Sequence, residues 1–203
     1  MASTISPVAR EFTWSRDPDG YSLLDTGERV VRLGNRLETY KPLELHENLF
    51  GQLASIRQTA DGVLSFVKKF GPLTREGTDS AEGEEVAAVI EAAQTIRRLL
   101  LANERKQIPS NLLPSRPRAV HLNVHILDPA SHKHPSTLVP ETLLDAIWLQ
   151  LADALSVNAE IPRCMQCGMW FPAGRGFGRR QDAKFCSAEH QILFNNQKRK
   201  EIV

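Results

Sequence analysis

The chain is poor in sulfur and in aromatic rings, with three cysteines, three methionines and 6% Phe, Trp and Tyr among its 203 residues. The cysteines, Cys164, Cys167 and Cys186, crowd into one short segment. An odd number cannot close into a disulfide framework without leaving a thiol over. The opening MASTISPVAR has no apolar h-region, so no secretory leader is read, and a reducing compartment disfavours disulfides further. The longest apolar-rich run, Ile147–Leu155, is interrupted by Gln150 and Asp153 and is too short to cross a bilayer. The expectation is a soluble cytoplasmic protein with no membrane partner. Also missing are a P-loop, a GxGxxG, a GxSxG and an HExxH, as are internal repeats and low-complexity tracts. No enzyme class is signalled, and the expectation is a non-enzyme.

What is present is ordinary globular composition, 41% hydrophobic and 24% charged, enough for one domain or one domain with a small appended module. Net charge is +1, but it is unevenly placed. Residues 163–203 hold eight Lys or Arg and three Asp or Glu, whereas residues 1–162 hold 17 and 21. A basic end on a mildly acidic body hints at a nucleic-acid-facing module.

Periodicity organises the body. Asp17-Pro18-Asp19-Gly20 is a turn, and residues 28–33 read as a short strand. Leu45, Leu49, Leu53 and Ile56 predict a helix over about 46–57. Thr59 caps a second helix that Gly71-Pro72 stops. After a polar loop at 74–83, a long helix is predicted over about 83–104, followed by an irregular proline-bearing connection at 108–118. Val120, Leu122, Val124 and Ile126 alternate with His121, Asn123 and His125 as a strand. His121 and His125 share one face, with His132 and His134 following, and the pattern fits a wet strand face better than a second metal site. A loop at 128–139 leads to Pro140 as the first residue of an apolar helix over about 140–157. The fold class expected is mainly α with a few short strands (α+β), divided as a mostly helical domain at 1–160 and a zinc module at 161–203.

The cysteines supply the chemistry. Cys164-x2-Cys167 and Cys186-x3-His190 are two ligand pairs separated by 18 residues. Structural zinc takes four tetrahedral ligands from thiolate and imidazole, and Cys3His is one of the standard sets. Two residues between Cys164 and Cys167 allow a tight knuckle, with Gly168 free to adopt positive φ. Cys186 and His190 lie one helical turn apart on the same face. The stretch between the pairs has room for a hairpin, Met169-Trp170-Phe171 out, a turn at 174–178, and Ala183-Lys184-Phe185 back. Knuckle, hairpin and ligand-bearing helix make a treble clef, with Trp170, Phe171 and Phe185 as its miniature core. Four ligands leave no open position, so one structural Zn2+ is expected.

The runs Arg163-Cys164-Met165-Gln166-Cys167-Gly168-Met169-Trp170-Phe171 and Lys184-Phe185-Cys186-Ser187-Ala188-Glu189-His190 resemble a bacterial treble-clef zinc-finger tail. The helix bearing Leu143, Leu144, Trp148, Leu149 and Leu151 is similar to the segment before the finger in the CGNR zinc-finger family, whose members carry an ABATE-type N-terminal domain. The Cys-Gly-Asn-Arg signature is absent, with His190-Gln191-Ile192-Leu193 in its region. The resemblance implies a DNA-binding transcription regulator.

Arg175, Arg179, Arg180 and Lys184 on or near the hairpin, with Lys198 and Arg199 following the last helix, are the candidate phosphate contacts. DNA is the expected partner ahead of RNA, and a homodimer through the helical domain is compatible with the reading. The alternative is a protein-interaction or purely structural zinc module, with Trp170 and Phe171 docked on the 140–157 helix. Nuclease chemistry lacks its hairpin base, because residues 169–185 contain no histidine.

Overall fold

A computed structural model of the chain describes residues 12–24, 26–75, 77, 82–105, 120–124, 136–174 and 176–201. The fold is mixed α+β. Short antiparallel strands line its first half: β1 (Trp14–Arg16), β2 (Tyr21–Leu23), β3 (Arg29–Arg32) and β4 (Glu38–Tyr40). β1 pairs with β4, Trp14 opposite Tyr40. β2, β3 and a two-residue β5 (Glu84–Glu85) form a sheet in that order. The Asp17–Gly20 turn forms as predicted. The buried Asp17 carboxylate accepts from the backbone N–H of Asp19 at 2.8 Å and of Gly34 at 2.6 Å. The β1–β4 pair holds because its rings are anchored. Trp14 donates its indole N–H to the Pro72 carbonyl at 2.8 Å, and Tyr40 its hydroxyl to the Phe70 carbonyl at 2.7 Å.

The helix expected over 46–57 is two pieces, α1 (Pro42–Leu45) and α2 (Leu49–Ala54). The break falls where Asn48 turns out of helical geometry and its side chain accepts from the Gly51 N–H, starting a new helix. α3 (Ala60–Phe70) matches its expected signals: Thr59 accepts from the Gly62 N–H, and Gly71 at φ 78° ends it. α4 (Val86–Glu104) starts three residues later than predicted, because Glu84 and Glu85 are recruited to pair with β3.

Two expectations on either side of the next strand are corrected. β6 (Val120–Val124) forms, but its partner β7 (Ser136–Pro140) falls within the stretch read as loop. Pro140 is therefore the last residue of a strand, where its missing N–H costs little, and not the first residue of a helix. α5 (Leu143–Ser156) begins beyond it. Thr142 accepts from the Asp145 N–H at 3.1 Å and donates to the Asp145 carboxylate at 2.6 Å, a reciprocal cap. The connection at 108–118 and His125, His132 and His134 lie outside the described residues.

The apolar faces of α2, α3, α4 and α5 meet in one core, with Leu49, Phe50, Leu53, Val67, Ile96 and Ile147 almost fully buried. Gln150, which interrupts the apolar run of α5, is buried and satisfied. Its side-chain oxygen accepts from the Leu49 N–H at 2.6 Å, and its amide donates to the His46 carbonyl at 2.8 Å. It supplies to α2 the start that the chain there leaves open.

After α5 the backbone folds into a small module ending in α6 (Ala188–Glu201). The expected hairpin is rearranged. Residues 170–173 pair backwards with 160–163, through Arg163 with Trp170 and Glu160 with Ala173, so the first cysteine knuckle is the hairpin's tip. A second, tighter turn joins Gly174 to Arg179, and residues 183–185 form no strand. Pairing with 160–163 is available because those residues arrive extended from α5, next to the 170–173 arm.

Candidate metal centre

The knuckle is closed by backbone hydrogen bonds, Cys164 N–H to the Met169 carbonyl at 2.9 Å and Gly168 N–H to the Cys164 carbonyl at 2.8 Å. Gly168 sits at φ 72°, the left-handed conformation its position requires. Met165 N–H reaches the Lys184 carbonyl at 3.0 Å, which lays the segment before Cys186 across the knuckle. Ser187 then accepts from the His190 N–H at 3.2 Å and starts α6, so His190 faces back over its first turn.

These constraints bring all four predicted ligands together, every ligand atom within 4.8 Å of the others. Cys167 Sγ lies 3.8 Å from Cys186 Sγ, Cys164 Sγ 3.6 Å from His190 Nδ1, and Cys186 Sγ 2.9 Å from His190 Nδ1. Cys164 is buried and Cys167 is exposed. Burial pushes the Cys164 thiol up, but backbone N–H groups of Cys186, Cys167 and Gln166 outweigh it and bring the thiol down to about 6. The Cys186 thiol is pushed up to about 12, first by burial and then by the Cys164 and Cys167 sulfurs. The protein alone thus favours one thiolate and opposes a second beside it. A cation among the sulfurs removes that opposition, and the four side chains could hold one metal ion.

The predicted miniature core is partly corrected. Phe171 and Ala173 pack with Cys164 and Cys186, flanked by Met169, Ala183 and Phe185. Trp170 instead belongs to the large core of the helical body and is 2% exposed. Its indole N–H donates to Glu104 at 2.7 Å, and its carbonyl accepts from the Asn48 amide at 2.6 Å. The Arg163 guanidinium stacks 4.2 Å from its ring and donates to the same Glu104 at 2.9 Å. At Gly51 a Cβ would strike the Trp170 carbonyl, so the close approach of α2 to the knuckle hairpin requires glycine there. The polar and backbone contacts that seat Trp170 come from Asn48 and Gly51 at the start of α2 and from Glu104 at the end of α4, in a core that α5 also lines. Glu47, Asn48, Gly51 and Glu104 gave no functional signal in sequence, since each meets the module across more than 50 residues.

The candidate phosphate contacts separate. Arg179 is turned inward, donating to the Cys186 carbonyl at 3.0 Å and pairing with Glu47 at 3.3 Å. Arg180 pairs with Asp182 on the surface at 3.1 Å, Lys184 is exposed, and Arg175 lies outside the described residues. Lys198 and Arg199 are exposed on the last turns of α6, with Lys198 5.3 Å from the Phe194 ring. No family model matches this chain, and neither does a curated protein or a solved structure. Among the described residues no helix is long and apolar enough to cross a membrane.

Proposed function

We propose that the chain is a zinc-binding protein, not an enzyme, whose C-terminal treble-clef module carries α6 to nucleic acid. Donor spacing supports zinc. Bonds of about 2.3 Å to sulfur and about 2.1 Å to nitrogen give tetrahedral edges of roughly 3.8 Å between sulfurs and roughly 3.6 Å from sulfur to nitrogen. The Cys167–Cys186 and Cys164–His190 separations of 3.8 and 3.6 Å have that size, and the Cys186–His190 pair, at 2.9 Å, must open. Three soft thiolates and an imidazole suit zinc over the hard divalent ions. When bound, the ion cross-links the knuckle to α6 and leaves no coordination position for a substrate.

The observation that carries the nucleic-acid reading is the exposure of α6. Beyond His190 its residues are exposed, save Phe194, which packs on Phe185 at 5.3 Å between ring centres. The helix ends in Lys198, Arg199 and Lys200 after Asn195, Asn196 and Gln197. Cations supply salt-sensitive phosphate affinity, and amides can pair with base edges. DNA binding in a transcriptional role is the finer form of this reading, and it rests on the motif likeness to the CGNR-type tail. A homodimer through the helical body is compatible with it.

A second reading is favoured by the seating of Trp170: the module caps the helical body and touches no nucleic acid. Fluorescence anisotropy of the zinc-loaded full chain with duplex DNA and single-stranded RNA, from low to physiological salt, separates the two. The regulator reading expects micromolar binding that weakens steeply with salt and is lost in the Lys198→Glu, Arg199→Glu, Lys200→Glu variant. Absence of binding at low salt leaves the capping role.

A further inference from the structure

Beside the first turn of α6 lies an open groove of about 750 Å³, walled by the 177–188 segment and lined also by Glu47 and Gln191. It is distinct from the metal cluster, although Cys186 contributes to its wall. Its composition is unusual for a solvent cleft. Phe185, half-buried and with Phe194 on one side of its ring, gives it an aromatic face, Phe177 is buried in its wall, and Arg179, Arg180 and Lys184 give it three cations. The cations differ in availability. Arg179 is held by Glu47 and the Cys186 carbonyl. Among the described residues Arg180 is paired with Asp182 alone, both side chains being largely exposed at 87% and 73%, and such a pair yields readily to a better anion. Lys184 has no ion pair among the described residues. Gln191 adds an exposed amide one helical turn along the rim.

We propose that this groove seats one unpaired nucleotide of a single-stranded nucleic acid, its base against Phe185 and its phosphate on Lys184 and Arg180. The inference rests on the nucleic-acid reading and narrows it. A volume of about 750 Å³ falls in the range that holds a small-molecule-sized unit, and a duplex does not enter it. Single-strand sites combine cationic surface with aromatic faces because every base offers a π-face, whereas a paired base keeps its faces inside the stack. Asp182 swings from Arg180 to solvent as the phosphate arrives, and Gln191 is placed to meet a base edge. α6 continues away from the groove, so its Lys198–Lys200 end meets the backbone further along the same strand.

The test uses the zinc-loaded full chain with short oligo(dT), oligo(U) and a duplex of equal length, read by anisotropy across a salt series. Single strands are expected to bind more tightly than duplex. Lys184→Glu should lower single-strand affinity about tenfold and flatten the salt dependence by roughly one phosphate contact. Phe185→Leu keeps an apolar side chain but removes the π-face. With zinc content unchanged, it should cost about tenfold on both single strands. If both variants bind single strands as the parent does while Lys198→Glu, Arg199→Glu, Lys200→Glu abolishes binding, the groove assignment is overturned and the nucleic-acid reading survives. Duplex bound more tightly than either single strand also overturns the groove assignment. No binding of any oligomer overturns both.

Discussion

Truncating Trp170 to alanine removes an indole that is 2% exposed and sits in the same core as Leu49, Phe50 and Ile96, although it belongs to the hairpin that carries Cys164 and Cys167. Loss of a buried Trp costs about 3–5 kcal/mol from transfer and cavity together. The indole N–H bond to Glu104 adds about 1 kcal/mol, and no more, because Arg163 still donates to that carboxylate. The total, about 5 kcal/mol, is a large part of a domain's stability. At roughly 2–4 °C per kcal/mol for a chain of this size, the melting temperature should fall by roughly 10–20 °C. The assay is far-UV circular dichroism of the zinc-loaded protein, reporting mainly on α3, α4 and α5. Trp170→Phe should recover most of the loss, since it keeps the ring burial and forfeits only the indole N–H bond and some volume. A module independent of the helical body would confine the damage to itself. The body would then melt within about 2 °C of the parent, a shift worth less than 1 kcal/mol, and the coupling argued from Trp170 would be refuted.

Replacing Gln150 with leucine orphans the Leu49 N–H and the His46 carbonyl and should destabilise by about 3 kcal/mol in urea unfolding, with the fold otherwise retained. Asp153 has a buried carboxylate oxygen with no hydrogen-bond partner among the described residues, and burial raises its pKa. A raised acid takes up its proton more readily folded than unfolded, so its penalty on stability is present at neutral pH and fades as pH falls through the folded value. Asp153→Asn should therefore stabilise at pH 7 and lose that advantage on acidification. His46, edge-on to Phe70 at 5.0 Å, has its pKa lowered first by burial, then by Lys69 and Arg16. Folding holds it neutral, so stability should fall as pH drops through its unfolded value of about 6.5, and His46→Gln should flatten that slope in denaturation curves taken at successive pH values.

Local signals in the sequence carried far. The ligand pairs were legible because their spacings, a knuckle and one helical turn, fix sulfur and nitrogen positions without help from the rest of the chain. Thr59, Gly71 and Gly168 were legible for the same reason: each meets a backbone need within its own few residues. What escaped depends on distant partners. β1, β2 and β4 are three residues each, too short for periodicity to register; β1 and β4 are held where Trp14 and Tyr40 find carbonyls at Pro72 and Phe70, and β2 by its pairing with β3. β7 carries no alternation that marks it, and its register comes from β6. The residues of the module divide in the same way. Cys164 announces itself, whereas the choice of Trp170 for the body's core and Phe171 for the small core around Cys164 and Cys186 needs α2 and α4 in place. Arg179, grouped by charge with Arg180 and Lys184, is spent inward by a bond to the Cys186 carbonyl that composition does not reveal.

The central claim is that Cys164, Cys167, Cys186 and His190 hold one zinc ion that organises the C-terminal module. Native mass spectrometry of the purified full chain, with thiol alkylation before and after chelation, tests it most directly. The account predicts one zinc per chain, three thiols protected until the metal is removed, and loss of both properties in Cys186→Ser. A metal-free chain whose three thiols alkylate freely, and which gains neither mass nor protection when zinc is added, would contradict it.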